Sequence, residues 1–397
     1  MTSVERAASA TTADPRFAEL EALANGNGPG PLIDRLTAQL RESKEFHRLF
    51  DALLLRRKFE LGLPLNRPSS LQDVPDEQRK LVEEMYIAAA REIGDLFLAE
   101  GDIPNAWMYH QVSKDRDRVA AAIERLPLAM EPGERLEELL HIALIQGVHP
   151  ARGVEMMLRA HGTCSTITAL DQTWQNLSPE QRQDCAKVMV RSLYRDLTDS
   201  VRRDVERRIA VLPPDEPLRG LLAGRDWLLE NGNYHIDVSH LHSVVRFARS
   251  IEPPAPELDL ALQLCEYGRR LIPQLQYGGE PPFEDFYPMH AAFFRVLADQ
   301  GRDEALGEFR RQLAEGSNES DRPIMAYVLV DLLMRIGRLD EAVDVASDWL
   351  TRLSDDLRFS FAELCAKSGR FDALRAATRE NGDLVGYAAA LLQSAPR

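Results

Sequence analysis

The stretch from Tyr86 to His110 constrains the fold of this chain more than any other. Ile93 and Phe97 lie four residues apart on one face of a helix, and Gly94 sits beside them where a second helix can come close. Gly101-Asp102 ends that helix. Ile103 supplies an apolar residue to bury at the turn, Pro104 suits the first turn of a new helix, and Ala106 leaves room at the crossing. The spacing predicts a helix–turn–helix.

Comparable units recur in the last hundred residues. Met289–Gln300 and Glu304–Ala314 flank Gly301, while Pro323–Ile336 and Val343–Leu353 flank Gly337-Arg338-Leu339-Asp340. Leu357–Ser368 and Ala373–Arg379 flank Gly369-Arg370-Phe371-Asp372. The turn glycines 301, 337 and 369 are 36 and 32 residues apart. Residues 86–110 carry a small Gly in the first helix, an aromatic one turn later, Gly-Asp at the turn and a small Ala in the second helix. That combination resembles the tetratricopeptide-repeat (TPR) family, whose period of about 34 residues the glycine spacings bracket. The resemblance covers about a third of the chain by this matching of units, and the middle departs from it. Gly153 falls one place late, and Leu374 stands where a small residue is expected.

The resemblance implies an all-α fold, an irregular α-solenoid of helix-turn-helix (TPR-like) repeats. Apolar residues recur with helical period, strand-like alternation is absent, and roughly 65–75% helix is expected. Three regions are expected: a flexible tail over residues 1–31, an N-terminal helical repeat region over 32–212, and a C-terminal TPR-like region over 213–397, parted at Pro213-Pro214. Within the tail, Asp14-Pro15 is suited to start a short helix carrying Phe17, Leu20 and Leu23.

The helix expected from Pro179 to Val211 is long, and Ser178-Pro179-Glu180 is a good start for it. Val190, Leu193, Leu197, Val201, Val205 and Ile209 form one narrow apolar line along it, with charges elsewhere. Such a line serves either one-sided packing within the chain or self-association through 179–211.

Charge and composition exclude several classes. A net charge of −15 with a pI near 5.2 is unsuited to general nucleic-acid binding, which needs a basic surface. No run of about 18 apolar residues suggests a membrane span, and no secretory leader is read at Met1–Ala10, so a cytoplasmic location is expected. Of 48 basic residues only 6 are lysine, so guanidinium donors are plentiful. Cys164, Cys185, Cys265 and Cys365 are far apart and read as reduced thiols.

Two constellations carry candidate chemistry. His235, Asp237, His240 and His242 offer imidazole and carboxylate ligands to a divalent metal, although Asp237 is also a natural helix cap. His141, His149 and His161 offer a second set, and Cys164 beside His161 has the makings of an activated thiolate. Against this, the sequence has no phosphate loop, no dinucleotide fingerprint, no H-E-x-x-H and no G-x-S-x-G elbow.

The leading expectation is therefore a non-catalytic scaffold or adaptor that binds a protein or peptide without a cofactor. The alternative is an enzyme or metal-binding protein using those histidines. In stacked hairpins the first helices line the concave face. Arg295, Arg335 and Arg358 are expected there, with His290, Asp331 and Lys367 also off the buried stripes. The arginines are expected to bind an acidic segment through charge-assisted hydrogen bonds.

Overall fold

The computed structural model describes residues 14–26, 28–209, 212–316, 319–351 and 360–394. Helix makes up 74% of it, and no strand occurs among the described residues. None of the described helices is long and apolar enough to cross a membrane. The chain divides into two compact units, residues 1–156 and 157–397. The division falls within a helix, α8 (Pro150–Thr173), whose backbone breaks at Gly162.

The first unit contains α1 (Pro15–Gly26), α2 (Pro29–Glu42), α3 (Phe46–Glu60), α4 (Asp76–Ala99), α5 (Ile103–Ser113), α6 (Arg116–Glu124) and α7 (Glu134–Leu140). A π-helical turn, His141–Ile145, continues α7. Residues 15–26 and 29–31 of the expected tail are thus helical. Pro29-Gly30-Pro31 opens α2, where proline loses no hydrogen bond. Helix α1 buries none of its residues; Arg16 pairs with Glu45, and Arg35 pairs with Glu19 at 2.7 Å.

Helices α4 and α5 form the hairpin expected from the sequence. Gly101 adopts φ 74°, which only glycine takes without strain, and the Asp102 carboxylate accepts the backbone N–H of Asn105. Ile93 and Ala106 are fully buried, as is the His110 ring. A Cβ on Gly94 would lie 2.6 Å from His110 Nε2, so the glycine is what lets α5 approach α4. Gly94→Val is therefore expected to destabilise the protein by about 2–3 kcal/mol through overpacking, seen as a lower urea midpoint with an unchanged m-value.

The second unit is built of α9 (Pro179–Glu206), α10 (Leu218–Leu222), α11 (Val238–Ala248), α12 (Glu257–Gly268), α13 (Phe286–Leu297), α14 (Arg302–Glu315), α15 (Arg322–Arg335), α16 (Leu339–Trp349), α17 (Phe361–Ser368), α18 (Phe371–Glu380) and α19 (Leu384–Ser394). From α12 onward each helix packs chiefly on its sequence neighbours. Gly301, Gly337 and Gly369 all take left-handed backbone at the turns, as their spacing predicts.

Helix α9 starts with a full capping box at Ser178 and Gln181. Val190, Leu193, Leu197, Val201 and Val205 are buried, and α10, α11 and α12 pack on this helix. The apolar line from Val190 to Val205 is thus covered within the chain, while Ile209 at its end is half-buried. Since α9 packs with helices on the far side of Pro213-Pro214, that proline pair lies inside the second unit.

Candidate binding groove

Helix α13 separates two chemically different environments. Its Met289, with Met325 of α15, lines a groove of about 650 Å³ beside α14. Both methionines are buried. The rim carries Glu284, Glu304, Glu308, Glu315 and Asp321 against a single lining cation, Arg311. Glu304, Glu308 and Glu315 are spaced by four and seven, so α14 presents them on one face. A thioether floor adapts to apolar shapes, and a carboxylate rim attracts cations.

Arg295 borders this acidic rim. It reaches back over the α13–α14 turn, donating from Nε to the Gln300 carbonyl at 3.1 Å and from Nη2 to Glu304 at 2.7 Å. Glu308 lies 3.6 Å from its Nη1. One guanidinium therefore already serves two carboxylates.

Arg335 has a different task from the one its sequence position suggests. Its side chain is only 5% exposed. Nε donates to Glu252 at 2.9 Å, Nη1 donates to the Arg249 carbonyl at 2.9 Å, and Nη2 donates to the Ile251 carbonyl. Asp331, one turn earlier, lies 3.4 Å away. These bonds tie α15 to the end of α11, which leaves few donors to offer a partner. Arg358 lies outside the described residues. The three arginines are thus not shown to share one surface.

His290, also expected off the buried stripe, is 1% exposed. Its Nδ1 donates to the Phe286 carbonyl at 2.7 Å, and its Nε2 has no hydrogen-bond partner among the described residues. The ring sits in a column in which successive centroids of His242, Phe286, His290 and Phe283 are 4.2 Å apart. Tyr277 closes one end against His242 at 4.8 Å, and the Arg249 guanidinium lies 4.4 Å over Phe283 at the other. Burial pushes the His290 pKa down to about 3, helped by Arg249 and His242 and opposed by the Phe286 carbonyl. Burial and Arg246 lower His242 as well.

Several of the expected metal ligands are engaged elsewhere. His235 Nε2 lies 3.2 Å from Asp204, and its backbone N–H donates to the Tyr267 hydroxyl at 2.8 Å. Asp237 caps α11 by accepting the Ser239 N–H at 2.8 Å. Its carboxyl is held below the usual range first by the Ser239 hydroxyl, and further by the nearby His240. In the other set His149 pairs with Glu124 at 2.9 Å, while His141 and His161 are exposed. Among the described residues no group of three or more His, Cys, Asp or Glu is placed to hold a metal ion.

Cys164 is exposed; Cys185, Cys265 and Cys365 are buried, and all four are free. Burial raises the thiol pKa of Cys185 to about 12, and pushes that of Cys265 well above its ordinary value. Neither is an activated nucleophile.

No family model, curated protein or solved structure matches this chain. The site's chemistry therefore rests on its own residues. The acidic stripe at 304, 308 and 315 was readable from spacing alone, whereas the methionine floor needed the packing of α13 against α15.

Proposed function

We propose that this chain is a non-catalytic interaction scaffold. In this reading it is an irregular α-solenoid of TPR-like hairpins that takes a peptide or helix in a groove. The observation that carries the reading is the groove beside α14, with its carboxylate rim over Met289 and Met325. Its occupant is a basic segment with an apolar anchor, because a rim with more carboxylates than cations repels an acidic one. Arg295 and Arg335, which argued for an acidic partner, are occupied by internal bonds. A cytoplasmic setting belongs to the same reading, supported by four free cysteines.

The test uses two fluorescein-labelled amphipathic helices with Leu at i, i+3, i+4 and i+7 on one face, one carrying Lys and the other Glu on the opposite face. The Lys peptide is expected to bind with an affinity that falls as salt rises, and the Glu peptide is not. Glu284→Lys combined with Glu315→Lys is expected to weaken the Lys peptide at least tenfold by anisotropy, about 1.4 kcal/mol, while leaving the melting temperature unchanged. Equal binding of both peptides, or undiminished binding by the variant, rules out this groove.

A further inference from the structure

Arg295 leaves the last turn of α13 and crosses the Gly301 turn to reach two carboxylates of the groove rim. Its Nη2 donates to Glu304 at 2.7 Å, and its Nη1 lies 3.6 Å from Glu308. Gly301 leaves the space for this crossing, since a Cβ there would stand 2.7 Å from Nη2. Nε is held separately, by the Gln300 carbonyl at 3.1 Å. The arginine is thus anchored at the turn by a bond that involves neither carboxylate. Glu304 remains 75% exposed while paired, so its bond to Arg295 is a surface pair, weak and open to exchange.

The rest of the rim is different. Glu284 and Glu315 also line the groove, and neither has an ion-pair partner among the described residues. Glu284 lies just ahead of α13 and Glu315 ends α14, so both stand at the end of the hairpin away from Gly301. The groove therefore has an open acidic end and an internally neutralised one. The later hairpins lack this arrangement. An acid three residues after the turn glycine recurs as Glu304, Asp340 and Asp372, but the place six residues before it holds Asp331 and Glu363 where this hairpin has Arg295. The cation belongs only to the hairpin that walls the groove.

A basic partner gains an unshared carboxylate at Glu284 or Glu315. At Glu304 and Glu308 it has to share with, or displace, a guanidinium already in place. Resting on the groove reading, we propose that Arg295 is a built-in competitor of the basic partner. It weakens the turn end of the groove for cations and directs the partner's positive charge to Glu284 and Glu315.

Anisotropy titrations of the Lys and Glu helices at low and physiological salt test this. Arg295→Met keeps most of the stem and removes the charge. It is expected to bind the Lys helix about fivefold tighter than wild type, the scale of one or two exposed ion pairs, and to lose affinity more steeply as salt rises. Arg295→Lys, which keeps the charge, is expected to show little of that gain. Glu304→Gln with Glu308→Gln removes the contested carboxylates, and in that background Arg295→Met is expected to lose most of its effect. Equal or weaker binding of the Lys helix by Arg295→Met overturns the competition, as does a gain of the same size in the Gln background. Tighter binding of the Glu helix as well marks a change of shape rather than of charge, and also overturns it. In each of these outcomes the groove reading stands. A Lys helix that binds neither wild type nor Arg295→Met overturns the groove reading, and this inference with it. Should Arg295→Met fail to fold, Arg295→Gln, which still carries a donor for the Gln300 carbonyl, gives the same comparisons.

Discussion

Replacing Arg335 with Met is expected to lower the melting temperature of the second unit by about 10 °C. The guanidinium is 5% exposed and serves Glu252, Asp331 and two backbone carbonyls, those of Arg249 and Ile251. Met fills similar volume but donates nothing. Two carboxylates and two carbonyls then lose a donor, and breaking a buried pair from one side costs about 3–5 kcal/mol. In a unit of this size each kcal/mol shifts the midpoint by about 2–4 °C. Arg335→Lys keeps the charge but not the planar fork that reaches several acceptors at once, so it is expected to recover less than half of the loss. Peptide binding at the α14 groove is expected to persist in the folded fraction. A melting temperature within 2 °C of wild type would refute the bracing role and return Arg335 to the list of partner-binding candidates.

Local devices were legible because they depend on neighbours a few residues away. The approach at Gly94 and Ala106, the caps at Ser178 and Asp237, and the turns at Gly301, Gly337 and Gly369 all occur where spacing and turn chemistry put them. Arg335 was not legible. A basic residue in the last turn of a helix looks the same whether it faces water or, as here, the end of a helix more than eighty residues earlier.

His290 failed for another reason. Stripe logic assumes one polar face, but α13 is buried on nearly every side, from Phe286 through Leu297. A histidine in such a helix has no solvent to point to. The line of apolar residues on α9 left two readings open, because its pattern alone does not say whether the chain's own helices or a second copy will cover it. The burial of Val190 to Val205 decides that for α9, and the exposure of Leu384 and Leu392 leaves α19 open. For the groove, the acidic stripe was in the sequence, but the floor depends on two methionines that are 36 residues apart.

The second large effect is on acid stability. Burial holds the His290 pKa at about 3, against about 6.5 for an ordinary histidine. Folded and unfolded chains are therefore protonated differently between those values. The unfolded chain takes up a proton as pH falls through about 6.5, and the folded chain declines it until about pH 3. Stability is thus full above pH 6.5 and falls by about 1.4 kcal/mol per pH unit as the medium is acidified toward pH 3. Between pH 7 and pH 5 the loss from this one ring is about 2 kcal/mol. The groups nearest it work in the same direction, because Arg249 and His242 both disfavour a second positive charge in the column. His290→Phe removes the titration while keeping a ring between Phe283 and Phe286. It is expected to flatten the dependence of unfolding free energy on pH between 7 and 5 by about one proton's worth, measured by urea titration at half-unit steps. Its stability at pH 7 is expected to change by less than about 1.5 kcal/mol, since the volume is nearly conserved. A variant that loses stability on acidification as steeply as the wild type would show that the acid sensitivity comes from elsewhere in the chain.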